Sequence, residues 1–201
     1  MQRWQARGIC FMEILLSGAD WKLEGYLPSG HVFNRESGID FKIWPIIKEV
    51  PATVPGSVHC DLWKAGIIED PYYGFNSLKC EWVEDKEWRY FKSFCLSDGQ
   101  RRKHMELLLE GLNFEARIYL NGVLLGSHKN INTPCVYSVG SLLKEENLLE
   151  IALLGVPYDE AQMGRTSRSV LQGERFAYGW DFCTRLVGIG VWKDVRLIGY
   201  D

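Results

Sequence analysis

The sequence has no excess of basic residues. Lys and Arg number 23 against 26 Asp and Glu, a net charge of −3. A surface that neutralises phosphates or anionic lipid needs the opposite balance, so nucleic acid and membrane are excluded as expected partners. There is no Cys-x-x-Cys pair among Cys10, Cys60, Cys80, Cys95, Cys135 and Cys183, and the four His do not stand beside them at ligand spacing. No metal site and no cofactor are expected. The cysteine spacing is irregular, and a chain of this size needs no staples. Buried free thiols in a reducing compartment follow, which makes the cytoplasm the expected location. No segment reaches the length of a membrane-spanning helix, and internal repeats, low-complexity runs and linkers are missing.

What is present is an ordinary globular balance in 201 residues, with 46% hydrophobic and 24% charged residues. That is one large domain or two small ones with a real core. Eight Trp and nine Tyr suit a β-rich core or a carbohydrate site, and the core is the expectation for most of the Trp. The apolar run from Ile9 to Leu16 is interrupted by Glu13 and is short for a signal peptide. Cleavage near Ser17-Gly18-Ala19, and hence secretion, is the alternative reading. Met12 is a second candidate start. Residues 1–20 therefore read as an N-terminal extension or first strand, and 21–201 as a single domain.

One short helix is expected from Ser57 to Ala65. Ser57 caps it, Val58, Leu62 and Ala65 share a face, and Gly66 ends it. It reads as a structural plug, with His59 and Asp61 at its surface or at an interface. Ser29 to Gly38 is polar and reads as a loop, and Pro51 to Gly56, with two Pro and a Gly, sets up the next element. Elsewhere strands dominate, over Trp88–Phe94, Met105–Leu109, Leu148–Leu154 and Val191–Ile198. Ala116, Ile118 and Leu120 alternate with Glu115, Arg117 and Tyr119, which gives one buried and one wet face. Asn121-Gly122 then turns the chain into Val123-Leu124-Leu125. The fold class is all-β: an antiparallel sandwich or jelly roll with one short helix. Glu81, Glu84, Asp85 and Glu87 read as a solvated charge run.

Residues 155–177 carry few periodic apolar positions and form a long loop. It leads into Tyr178-Gly179-Trp180-Asp181, followed by Arg185 and Gly190-Val191-Trp192. An aromatic face, a carboxylate and a guanidinium this close together suit a sugar. Aromatic rings stack on C–H surfaces, and charged groups bind hydroxyls through strong hydrogen bonds. Without further context, Trp180 packing between sheets and Asp181 capping a turn explain the same residues. Trp192 reads as core.

Four segments together resemble one family. They are Val54-Pro55-Gly56-Ser57-Val58-His59 through Ala65-Gly66-Ile67 and Asp70-Pro71-Tyr72-Tyr73-Gly74; Trp82 with Trp88, Arg89, Tyr90 and Phe94; Leu109-Glu110-Gly111-Leu112 with Ala116 to Gly122 and Gly126; and Gly179-Trp180-Asp181 through Arg185, then Gly190-Val191-Trp192 and Val195-Arg196-Leu197. They resemble the N-terminal domain of family 2 glycoside hydrolases, nearest the β-mannosidase branch. The resemblance implies a galactose-binding-type jelly roll. In the family an immunoglobulin-like domain and a TIM barrel follow it, and they are the implied partners. The barrel's two glutamates perform retaining hydrolysis, which needs carboxyls ~5 Å apart. No such pair is expected here, so this chain is implied to be inactive alone and to lack catalytic residues. Its implied role is to support the barrel and bind the terminal β-linked sugar of an oligosaccharide or glycoside. Trp180 would wall that pocket and Asp181 would accept hydrogen bonds from hydroxyls. Arg185 would complete the binding set by orienting Asp181 or meeting a neighbouring domain. The family pattern continues Trp-Gly-Pro where this chain has Phe182-Cys183-Thr184, so the turn is expected to differ there. A stand-alone carbohydrate-binding module and a scaffold domain are the alternatives.

Overall fold

The computed structural model describes residues 11–28, 30–37, 43–156 and 174–201. The expected all-β antiparallel sandwich is what the chain forms. A four-stranded sheet has the order β1 (Phe11–Leu15), β12 (Val195–Tyr200), β5 (His104–Leu109), β9 (Cys135–Ser138). A six-stranded sheet has the order β3 (Ile47–Val54), β2 (Gly18–Tyr26), β4 (Glu87–Cys95), β10 (Glu146–Leu153), β7 (Glu115–Leu120), β8 (Val123–Lys129). A separate two-stranded ladder joins β6 (Leu112–Asn113) to β11 (Gly190–Val191). One core cluster draws on both sheets, with Leu107, Leu109, Val195 and Leu197 from one and Leu23, Tyr90, Ile118 and Leu149 from the other.

The β7–β8 hairpin forms as the alternation predicts. Ala116, Ile118 and Leu120 are buried, and Asn121 and Gly122 take φ of 52° and 83° at the turn. The other face departs from expectation, because Tyr119 is buried as well. The reason is α1 (His31–Ser37), a helix inside the stretch read as a loop. Glu87 Oε2 accepts the first two free backbone N–H groups of this helix, from His31 at 2.9 Å and Val32 at 3.1 Å. That satisfies donors a helix cannot satisfy internally and places a negative charge at its N-terminal end. Val32 packs on Tyr119 and Ala152, and the Arg35 guanidinium lies 3.9 Å from the Tyr119 ring centre.

Beneath α1 the outer face of the six-stranded sheet holds a buried ionic network. Arg89 bridges Glu24 at 2.7 Å and Glu150 at 2.5 Å, and Arg35 reaches Glu150 at 3.2 Å. Tyr26 Oη donates to Glu24 at 2.7 Å. The paired guanidinium groups hold the Glu150 carboxyl below its ordinary range in spite of burial.

α2 (Val58–Lys64) is the expected short helix. Ser57 Oγ accepts from Cys60 N at 3.3 Å, Val58 and Leu62 face the core, and Gly66 leaves at φ 71°. Ala65 is exposed, and His59 and Asp61 are buried rather than superficial. Asp61 accepts hydrogen bonds from Tyr90 Oη at 3.0 Å and Thr53 N at 3.1 Å, tying the helix to β3 and β4. Pro51 lies within β3. That strand is a sheet edge, where a residue without an N–H is tolerated.

Two further expectations fail on packing. Only Trp21 and Trp88 among the described Trp are fully buried, each donating its indole N–H to a backbone carbonyl. Trp192 is 40% exposed. Its ring covers Gly111, and its Nε1 donates to Ile131 O at 3.2 Å. The five described cysteines are free, but only Cys80 is buried.

Candidate functional site

The segment after residue 174 makes one excursion and returns. Arg175–Tyr178 form a single 3-10 turn, and Gly179 follows at φ 110°, a conformation that side chains strongly disfavour. Trp180 and Cys183 then pair across a tight turn. Cys183 N donates to Trp180 O at 3.1 Å, and Trp180 N donates to Cys183 O at 3.4 Å. Asp181 and Phe182 sit at the tip, both exposed. Leu186 N donates to Ala177 O at 2.9 Å and closes the base. Tyr178 and Leu186 pack against the core, so the segment is rooted while its tip projects.

The base is fixed further by the strand that follows. Gly56 N donates to Val191 O and Val58 N to Ile189 O, each at 2.8 Å. This contact requires Gly190, because a Cβ there would lie 2.5 Å from Gly56 O and 2.7 Å from Ser57 Cα. The capped start of α2 and the end of the turn segment therefore lie backbone against backbone.

Trp180 does not belong to the core cluster between the sheets. Its half-buried ring meets Phe176 edge-on, with centres 5.6 Å apart, and lies 6.4 Å from Phe182. Phe176 and Phe182 are 5.8 Å apart, and both are mostly exposed. Three aromatic side chains thus cluster at steep angles to one another, and Asp181 lies exposed in the chain between two of them. Among the described residues Asp181 has no hydrogen-bond or ion-pair partner. Packing between the sheets does not explain this Trp.

Arg185 is placed differently from the other two. Its Nη1 and Nη2 each meet one oxygen of Glu84 at 2.8 Å, and Nη1 reaches Glu81 at 3.4 Å. The Glu84 hydrogen bond, with charge attraction added, raises the Arg185 pKa against the opposing effect of burial. Burial in turn lifts the Glu84 carboxyl, against the pull of Arg185 and the N–H of Val187. The guanidinium is therefore committed to a glutamate 101 residues away in sequence. Glu84 and Glu87 were both read as part of a solvated charge run; both are buried, while Glu81 and Asp85 are exposed. The reason is that each has a specific partner: Arg185 for Glu84, and the start of α1 for Glu87.

Phe176 was not singled out from the sequence, since it lies in an irregular stretch with no periodic signal. Most of the expected long loop, residues 157–173, lies outside the described residues.

A family model described as glycosyl hydrolase 2 galactose-binding domain-like matches residues 33–193, which include Trp180, Asp181 and Arg185. The chain is 31% identical over 176 residues to the β-mannosidase of Mus musculus, covering 76% of this chain and 20% of that protein. It is 28% identical over 213 residues to the β-mannosidase of Rattus norvegicus, covering 96% of this chain and 23% of that protein. A crystal structure of β-D-mannosidase from Dictyoglomus thermophilum superposes with a TM-score of 0.75 at 30% identity, over 92% of this chain and 22% of that one. A β-glucuronidase from an uncultured Clostridium shares the fold, with a TM-score of 0.60 at 17% identity. The chain spans about a fifth of the length of these β-mannosidases. The sandwich, the aromatic–acid turn and the match across both together place this chain in the galactose-binding-like domain family of the family 2 glycosyl hydrolases.

Proposed function

We propose that this chain is the non-catalytic accessory domain of a β-mannosidase-like exo-glycosidase, and that its Trp180–Asp181 turn contacts the terminal sugar. The observation that carries this reading is Asp181, exposed and uncommitted on the turn that also carries Trp180 and Phe182. A free carboxylate accepts hydrogen bonds from vicinal hydroxyls, and the rings offer faces to the C–H side of a pyranose. Catalysis on this reading belongs to other domains of a longer polypeptide. This domain binds and orients.

The test is Asp181→Ala in the full-length enzyme, assayed on an aryl β-mannoside. Losing a hydrogen bond to a charged acceptor lowers kcat/KM about 10- to 100-fold. An unchanged kcat/KM sinks the sugar-contact reading.

A second reading is favoured by a different observation. Trp63, Ile67, Tyr72, Tyr73, Phe75 and Leu78 are all exposed within one short stretch of chain. Clustered exposed apolar residues mark docking surfaces, and here they support a scaffold role toward a neighbouring domain. Under that reading alone, Asp181→Ala leaves turnover intact.

A further inference from the structure

Glu84 meets the chain on both sides of the turn segment. Its backbone carbonyl accepts from Val156 N at 3.1 Å, just beyond β10. Its carboxylate accepts both terminal nitrogens of Arg185 at 2.8 Å and the N–H of Val187. The approach is tight at the first of these places: a Cβ on Gly155 would lie 3.2 Å from Glu84 O. One buried residue thus fastens the chain at residue 156 and again at residues 185–187. Trp180 and Asp181 lie between those two points.

The geometry points to Glu84 as a positioning residue for the sugar site, acting through Arg185 on the pose of the Trp180–Asp181 turn. The inference rests on the sugar-contact reading of that turn. Arg185 stands two residues after Cys183, which closes the turn by pairing with Trp180. A two-pronged guanidinium–carboxylate contact fixes orientation as well as distance. The link from Glu84 to the Asp181 carboxylate is therefore short. Glu81, exposed and 3.4 Å from Arg185, adds a weaker contact on the solvent side. Asp181 is left free to meet hydroxyls because Arg185 is held elsewhere.

The experiment measures kcat, KM and melting temperature in the full-length enzyme for Glu84→Gln, Arg185→Lys, Asp181→Ala and the double variant Glu84→Gln/Asp181→Ala. Glu84→Gln keeps the shape and removes the charge, and kcat/KM is expected to fall roughly 10- to 100-fold, as for a misplaced binding group. Arg185→Lys keeps the charge without the fork, and an intermediate loss is expected. In the Asp181→Ala background the Glu84→Gln effect should all but vanish, since both act through one turn. Equal losses in both backgrounds would overturn the inference, and so would a lowered melting temperature with unchanged kcat/KM. Asp181→Ala impaired with Glu84→Gln unimpaired overturns this inference alone. Asp181→Ala unimpaired overturns the sugar-contact reading and this inference with it. Should Glu84→Gln fail to fold, Arg185→Lys and its double variant with Asp181→Ala decide by the same criteria.

Discussion

Replacing Asp61 with Ala removes an acceptor by which α2 is tied to both β3 and β4. Two donors lose their partner. Tyr90 Oη is enclosed, because its residue is fully buried and no water reaches it. Thr53 N is half-buried and recovers part of its loss from solvent. An orphaned buried donor costs roughly 1–3 kcal/mol, so the pair should cost about 2–4 kcal/mol, with Tyr90 carrying the larger share. Burial already raises the Asp61 pKa against the opposing hydrogen bonds from Tyr90 and Thr53, so removing the carboxylate also relieves a desolvation penalty. That relief keeps the estimate below the sum of two full charge-assisted bonds. For a domain of this size the loss corresponds to a melting temperature lowered by roughly 5–15 °C. Chemical denaturation of wild type, Asp61→Ala, Tyr90→Phe and the double variant measures both the loss and the coupling. The double variant should lose about 1–2 kcal/mol less than the sum of the singles, because Tyr90→Phe removes the donor that Asp61→Ala orphans. Strict additivity, or an Asp61→Ala loss below about 0.5 kcal/mol, would refute the reasoning, since that is the range of an uninvolved surface substitution.

Two other outcomes follow from buried groups near the site. His59 is 3% exposed with no partner on Nε2, and burial lowers its pKa from 6.5 to about 4. Between those values the unfolded chain binds a proton that the folded chain does not, so stability falls as the pH falls through that window. The His59 share approaches about 2–3 kcal/mol at the acid end, and the difference between wild type and His59→Met in unfolding free energy across pH 4–7 should show it. A pH-independent difference would count against this. Gly190→Ala drives a Cβ into the backbone of Gly56 and Ser57, which cannot move aside as a flexible side chain would. The expected loss in stability is about 1–3 kcal/mol, read by denaturation midpoint, and a midpoint equal to wild type would show that the two segments separate freely.

Much of this fold was legible because its signals are local. The β7–β8 hairpin announces itself through alternation and Asn121-Gly122, and α2 through the Ser57 cap and the Gly66 stop. What was not legible depends on partners far along the chain. The helix α1 has seven residues, only one of them a buried hydrophobe, and its support comes from Glu87 and Glu150 on the sheet. No window around residue 31 contains that information. Glu84 and Asp61 look like ordinary charged residues until Arg185 and Tyr90 are brought to them, 101 and 29 residues away. For the candidate site, sequence chemistry singled out Trp180, Asp181 and Arg185, and the structure sets Trp180 and Asp181 on one exposed turn while turning Arg185 toward Glu84. Sequence chemistry could not show that Arg185 is committed to Glu84, or that Phe176 and Phe182 extend the aromatic surface. Trp192 misled because an indole spread over a glycine reads, by residue type, like one buried in a core.

The way the turn segment is fastened also bears on how such a domain changes over generations. Phe176, Trp180 and Phe182 pack on one another, outside the cluster that holds the sheets together, while Tyr178 roots the segment against it. Its anchors lie at residue 156 and residues 185–187. At the exposed tip, Asp181 and Phe182, substitutions change the surface while the burial that drives folding is left intact. The chemistry of the tip and the folding free energy can thus vary as nearly separate traits. Drift at the tip is tolerated without loss of the scaffold.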